Sequence, residues 1–296
     1  MFFKNAIVFQ SDKPLSGLLQ NIAEELDGMP CNPPGAQEMT SEGFVPLVAN
    51  EGVLAANQNG YIFCAYQEIA RLLPAAVVNE ELLERVSAIE EEQNRKVGRK
   101  ERAELKEQIL FEMLPQAFTK SSRTYVVLDT NKDRVYVGES SAGKAEKAIS
   151  ALRKALGTLP VKPISRQAMS ADAVFATWIK KPELASQQGF HLGDACELAQ
   201  SGQGAKLKGL EITSKSVHNY LSSGLSIKRI NLFSEDDIEF DVTADMHLKG
   251  IKLGDRWEGA IDEELETELE YRMAQLKLSG IVVSGLVDRL LEAMPS

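Results

Sequence analysis

The stretch from Asn79 to Leu114 constrains this chain most. Charged residues fill 17 of its 36 positions, and its apolar residues form a narrow stripe of Leu82, Leu83, Val86 and Ile89. The stripe fades between Glu90 and Lys100 and resumes at Leu105, Ile109, Leu110 and Met113. Apolar residues at three- and four-residue intervals mark one face of a helix. Asn79 offers an N-cap, with Glu80 and Glu81 in the first turn. Gly98, inside Arg95–Lys100, predicts a turn, giving two antiparallel helices of about four turns each. Pro74 and Pro115 bracket the unit, because proline lacks the N–H that helix propagation requires. So narrow a stripe with polar flanks suits a projecting hairpin. Residues 79–114 are therefore expected to form an inserted subdomain with little of its own chain to bury against, which suggests a partner.

The remaining pattern alternates strands and helices. A strand is predicted over 2–10, a helix over 15–26, loop over 30–46 and a strand over 60–66. Tyr125–Leu128 and Val135–Val137 flank Thr130–Asp133, a β-hairpin signal. A helix over Ala142–Leu156 turns Ala148, Ile149, Leu152 and Leu156 inward and leaves Lys144, Lys147, Arg153 and Lys154 outside that stripe. Gly157 ends it. A short helix follows over 171–181. The region 189–254 reads mostly as strand, clearest at 227–233 and 238–242, with one helix at 215–221. Helices over 267–276 and 281–294 close the chain. Strands arriving in neighbouring antiparallel pairs give an α+β class.

With 296 residues, 44% hydrophobic and 26% charged, the chain can bury a sizeable core as one large or two to three small domains. Lys4 and Asn5 break the apolar start, which lacks a small-residue cleavage site. The most apolar later stretch, Leu276–Leu291, is interrupted by Lys277, Asp288 and Arg289. A cytoplasmic protein with no membrane segment is expected. Cys31, Cys64 and Cys196, like His191, His218 and His247, are scattered without ligand spacing, so neither metal nor cofactor is expected. The net charge of -10 is unevenly distributed. Residues 119–181 carry 12 Lys/Arg against 5 Asp/Glu, and residues 204–230 carry 5 against 1. Residues 235–272 carry 4 against 14. Such segregation allows one positive surface for phosphates on an acidic protein. The plainer alternative places the same residues on solvated faces.

Gly138-Glu139-Ser140-Ser141-Ala142-Gly143-Lys144-Ala145 nearly matches a phosphate-binding loop and stands between a strand and a helix. Ala145, however, replaces the hydroxyl that would ligate Mg²⁺. The hairpin also makes the local sheet antiparallel, whereas such ATPases need parallel strands with crossover helices. A nucleotide-binding ATPase using Gly138–Lys144 is kept as an alternative, beside a helix N-terminus whose Lys144 and free N–H groups meet a DNA phosphate and a plain Ser-capped helix. No nucleophile elbow is present. Asp262-Glu263-Glu264-Leu265-Glu266 could be proposed as a metal or nuclease site, with Asp262 and Glu266 on one helical face. A solvated acidic face fits it better. An acidic scaffold that mimics DNA for a basic partner is a further alternative. No recognition helix or zinc finger appears, and aromatics at 6% are too sparse for a stacking platform. Phosphate contact by Lys and Arg remains, independent of sequence and dependent on salt.

Five segments, in order, carry a resemblance: Phe2-Phe3-Lys4-Asn5, Gly43-Phe44-Val45-Pro46, Leu72-Leu73-Pro74, Met113-Leu114-Pro115-Gln116-Ala117-Phe118, and Leu152 to Pro160. The set resembles RdgC, the bacterial recombination-associated family, although the last hundred residues match only in general pattern. The resemblance implies a non-enzymatic, nucleoid-associated homodimer that closes into a ring around double-stranded DNA and restricts access of the recombinase RecA. It implies a central domain (1–74, 118–181 and 255–296), a helical tip (75–117) and a mostly β base (182–254), with tip-to-tip and base-to-base contacts closing the ring. Lys4, Arg153 and Lys154 lie in matched segments. Phe118 ends another, with a role at the junction or in ring closure, or as an ordinary core aromatic. Lys120, Arg123, Lys144, Lys147, Lys206 and Lys208 are candidates for DNA contact from local charge alone.

Overall fold

The computed structural model describes residues 2–49, 51–167, 170–200, 202–261 and 265–294. In chain order the elements are β1 (Ile7–Ser11), α1 (Ile22–Asp27), β2 (Thr40–Val45), β3 (Ala55–Gln58), β4 (Tyr61–Leu72), α2 (Ala75–Gln93) and α3 (Arg99–Met113). Then come β5 (Phe118–Asp129), β6 (Arg134–Val137), α4 (Ala142–Ala155), β7 (Val161–Pro163), α5 (Ala171–Lys180) and α6 (Pro182–Ser186). The chain closes with β8 (Phe190–Gln200), β9 (Gln203–Lys208), α7 (Lys215–Ser222), β10 (Ser226–Ser234), β11 (Ile238–Thr243), β12 (Leu248–Leu253) and α8 (Glu268–Glu292). With two antiparallel sheets and these helices, the class is α+β. Among the described residues no helix is long and apolar enough to cross a membrane.

The chain divides into two compact units, and β4 and β5 run through both. The larger comprises 1–28, 46–65 and 124–296. Its first sheet includes the predicted hairpin, with Val126 opposite Val137 and Asp129 opposite Arg134. β1 pairs antiparallel with both β6 and β7. Side chains alternate across a strand, so Val127 and its cross-strand neighbour Tyr136 share one face. Helix α8 lies on that face. A Cβ on Gly280 would approach Val127 Cγ1 to 3.2 Å and the Tyr61 ring to 3.3 Å, so glycine permits the close packing.

The sequence reading placed a break at Ser279-Gly280, but α8 runs unbroken over 25 residues. Glycine inside a helix costs about 1 kcal/mol relative to alanine. Burial of Leu276, Val282, Val283, Leu286, Val287 and Leu290 outweighs it, each contributing about 1.5–3 kcal/mol. Ser279 Oγ donates to Gln275 O (2.7 Å) and accepts from Phe3 N (3.0 Å). Thr267 and Glu270 form a reciprocal capping box at the helix start.

Two further expectations are corrected in this unit. The predicted 15–26 helix shrinks to Ile22–Asp27. Leu15 and Leu19 are buried all the same, through turns. Asp133 Oδ1 takes the Leu15 N–H at 2.7 Å, a tertiary bond that displaces helix pairing. The strand expected over 2–10 begins at Ile7. Before it, Ala6 exchanges backbone hydrogen bonds with Leu248, and Ile251 N donates to Lys4 O (2.8 Å), tying the N-terminal segment to β12. The second sheet has the order β12-β11-β10-β8-β9. Its buried face carries Leu198, Ile230, Leu232, Phe240 and Val242. Phe175, Trp178, Phe190 and Phe240 form a chain of rings with centroids 5.6–5.9 Å apart, in tilted and edge arrangements that aromatic quadrupoles favour.

The smaller unit comprises 29–45 and 66–123. Within it α2 and α3 pack through Val78, Leu82, Val86 and Ile109, with Leu105, Leu110 and Met113 at the margin. Arg85 bridges the helices to Glu112 at 2.7 Å. The turn falls where predicted. Asn94 takes the left-handed conformation (φ 50°) after α2, and Gly98 caps α3. α2 starts at Ala75, directly after Pro74, not at Asn79. Burial of Val78 and the good helix formers Ala75 and Ala76 carry the helix back to the proline. The 30–46 segment, predicted as loop, contains β2. Glycine at 43 allows backbone contact that its composition hid: a Cβ there would lie 2.6 Å from Cys31 N and Pro30 C. Cys31 N donates to Phe44 O (3.0 Å) and Phe44 N to Met29 O (2.9 Å).

Candidate nucleic-acid interface

Helix α4 forms because Ala145, Ala148, Ile149 and Leu152 give it a buried stripe. Lys144, Lys147, Arg153 and Lys154 are left exposed. At about 100° per residue, Lys147 and Lys154 stand about 20° apart on the helix surface, and Lys144 about 60° from Lys147. Arg153 is turned about 100° from Lys154, and its Nε donates to Leu159 O at 3.2 Å. Three of the four predicted cations therefore share one side.

The phosphate-loop resemblance has a packing explanation. A Cβ on Gly138 would lie 2.7 Å from the Phe3 ring, so glycine here accommodates an aromatic side chain. Ala145 is fully buried. Strand β6 pairs antiparallel with both neighbours, β5 and β1. Nothing in this geometry is a nucleotide loop. The Ser-capped alternative is corrected too: Ser141 occupies the N-cap with extended backbone, but its side chain makes no capping bond.

Lys206 and Lys208 point the same way from edge strand β9, both exposed. Lys206 leans toward Glu197 (3.4 Å). Lys4 is exposed just before β1. In the smaller unit, Lys120 and Phe118 share a face of β5, and Arg123 lies on the opposite face. Phe118 is 85% exposed, which excludes the core-aromatic alternative. Leu72 and Val77 are also exposed, and line a groove with Leu73, Pro74, Met113 and Phe118. Lys4, Lys120, Arg123, Lys144, Lys154 and Lys208 make no ion pair among the described residues.

The acidic stretch behaves differently. Asp236 pairs with Arg289 (2.8 Å) and Arg256 (3.6 Å), Glu239 with Lys252 (3.0 Å), and Asp241 with Arg229 (3.4 Å). These three acids are thus paired within their own unit. Asp262, Glu263 and Glu264 lie outside the described residues; Glu266 N donates to Glu270 Oε2 (3.1 Å) as part of the α8 start. Among the described residues no group of three His, Cys, Asp or Glu is placed to hold a metal. Burial pushes the thiols of Cys64 and Cys196 up to about 12 and about 11, and raises that of Cys31, so all three remain protonated at neutral pH.

The fold and this surface define a class: an α+β protein of two antiparallel sheets that exposes cations on α4, β5 and β9. The chain belongs to the RdgC family, whose model, described as "Putative exonuclease, RdgC", matches residues 1–296. A "Recombination-associated protein RdgC" of Psychromonas ingrahamii is 34% identical over 260 residues, covering 86% of this chain and 85% of that protein. Its counterpart in Proteus mirabilis is 30% identical over 300 residues, covering 99% and 98%. That of Pseudomonas aeruginosa is 31% identical over 274 residues, covering 90% and 87%.

Proposed function

We propose that this protein acts in recombination as a non-catalytic, sequence-independent binder of double-stranded DNA. Two copies close around the duplex, and occupancy of the DNA limits access of RecA. The observation that carries this reading is the placement of exposed cations: Lys144 and Lys154 on α4, Lys120 and Arg123 on β5 and Lys208 on β9 make no ion pair among the described residues, while Asp236, Glu239 and Asp241 of the acidic stretch are paired with Arg256, Arg289, Lys252 and Arg229. A chain of net charge -10 binds a polyanion only if part of its surface is cationic. The exposed Phe118 supports a role in closing the ring, because it shares an apolar groove with the exposed Leu72 and Val77, and a contiguous exposed apolar patch marks a protein contact.

The test is duplex DNA binding across a salt series with linear, end-blocked and covalently closed circular DNA. A steep negative salt slope and slower release from closed circles are expected. No binding at low salt would overturn the reading and favour a protein scaffold. Incubation of end-labelled duplex with Mg²⁺ tests the exonuclease description that the family carries; the proposal expects intact ends.

A further inference from the structure

Arg71, half-buried near the end of β4, directs its guanidinium entirely at main-chain carbonyls. Nε donates to Glu38 O (3.2 Å). Nη1 donates to Pro115 O (3.2 Å) and Ala117 O (3.4 Å). Nη2 donates to Pro34 O (3.2 Å) and Gly35 O (3.3 Å). A guanidinium has five N–H donors in a fixed plane, so every one has an acceptor. The adjacent acid does not take the charge: Glu38 Oε2 accepts from Gly35 N at 2.9 Å instead. The Arg71 backbone N–H also donates to Met39 O (2.8 Å).

Surface arginines usually meet a carboxylate or water. A half-buried one committed to five carbonyls holds those carbonyls at fixed positions relative to one another. They come from two segments distant in sequence, the 34–38 loop and the 115–117 turn that ends the helical hairpin. The residue that follows the second segment is Phe118. We propose that Arg71 is the positioning residue for Phe118: it fixes where the chain leaves the hairpin and enters β5, and so sets the position of the exposed ring beside Leu72 and Val77. The functional consequence rests on the reading that Phe118 takes part in ring closure. Lysine cannot substitute, because an ammonium offers three donors from one point.

The test uses the full chain as wild type, Arg71→Lys, Phe118→Ala and the double variant. Amide hydrogen exchange is read over 34–39 and 115–120, and dissociation is read from closed circular and linear duplex. Arg71→Lys is expected to accelerate exchange in both segments by about tenfold or more, with protection of α8 unchanged. It is expected to speed release from closed circles as Phe118→Ala does, and to add little on top of Phe118→Ala in the double variant. Unchanged exchange over 115–120 overturns the positioning role. So does normal circle release by Arg71→Lys when Phe118→Ala releases quickly. If Phe118→Ala itself releases normally, the ring-closure reading fails, and the exchange data alone decide whether Arg71 holds the turn.

Discussion

Neutralising the cations of α4 is the perturbation that bears most directly on DNA binding. The variant Lys144→Gln, Lys147→Gln, Arg153→Gln and Lys154→Gln keeps the buried stripe of α4 intact, and all four side chains are exposed. Exposed substitutions of this kind change stability by about 0.5 kcal/mol or less each. Lys144, Lys147 and Lys154 share a side of the helix, whereas Arg153 is turned away and holds Leu159 O. A phosphate wall alongside α4 therefore meets three of the four. Each phosphate neutralised contributes about 0.9 to the slope of log affinity against log salt, so the slope becomes shallower by about 2.7 per subunit. Referred to 1 M salt, that is a loss of about 500-fold at about 0.1 M, and twice the slope change if both subunits of a dimer touch DNA. Fluorescence anisotropy of a labelled duplex from about 0.05 to 0.3 M salt measures it. The matched control is Lys252→Gln, whose charge is already engaged by Glu239 at 3.0 Å and whose loss should leave the slope within about one unit. A quadruple variant with an unchanged slope and affinity would refute the assignment of α4 as the contact surface.

Gly43→Ala forces a Cβ to within 2.6 Å of backbone atoms of Pro30 and Cys31, which cannot rotate away; a loss of about 2–3 kcal/mol in denaturant titration is expected. Thr267→Ala removes the acceptor of Glu270 N (3.1 Å) at the start of α8 and should cost about 1 kcal/mol, read as a lowered denaturant midpoint with unchanged slope. Asp288 receives Lys132 and Arg134, the latter only 11% exposed. Partial burial opposes its ionisation, but hydrogen bonds from these two cations outweigh that and hold its carboxyl below the usual carboxylate range. A depressed folded-state pKa contributes stability that is fully present above the unfolded value of about 3.9 and is lost as pH falls through the folded one. Asp288→Asn should cost about 1–2 kcal/mol at neutral pH and flatten the decline of stability below about pH 4. An identical acid limb in the two proteins would contradict this.

Periodicity made several elements legible. Helix α4, the hairpin of β5 and β6, and the helix pair with its turn at Gly98 all lie where local pattern puts them. Local pattern succeeds there because the spacing of apolar residues directly reports which face a regular element buries. It failed over 30–46, read as loop, and at the break set between two closing helices. Gly280 lets α8 approach Val127 and Tyr61, and Gly43 lets β2 approach Pro30. In each case the decisive neighbour is distant in sequence, and a propensity scale carries no information about it. The candidate cations were legible as local charge, but which of them lack an ion pair, such as Lys144 and Lys154, was not. Arg71 left no signal at all, since one arginine near the end of a strand is unremarked until its five carbonyls are in place.

The sequence by itself determined the α+β class, the segregation of charge and the antiparallel hairpin that counts against a phosphate loop. These are properties of short windows, set by side-chain period and composition. The tertiary structure decided that α8 is one helix, that Phe118 stands in solvent, that Asp236, Glu239 and Asp241 are paired with cations of their own unit, and that Arg71 ties two distant segments together. Each of those is a meeting of remote residues. Such meetings depend on how the folded chain excludes water and satisfies every buried donor, a requirement imposed on the whole unit and not on any one window.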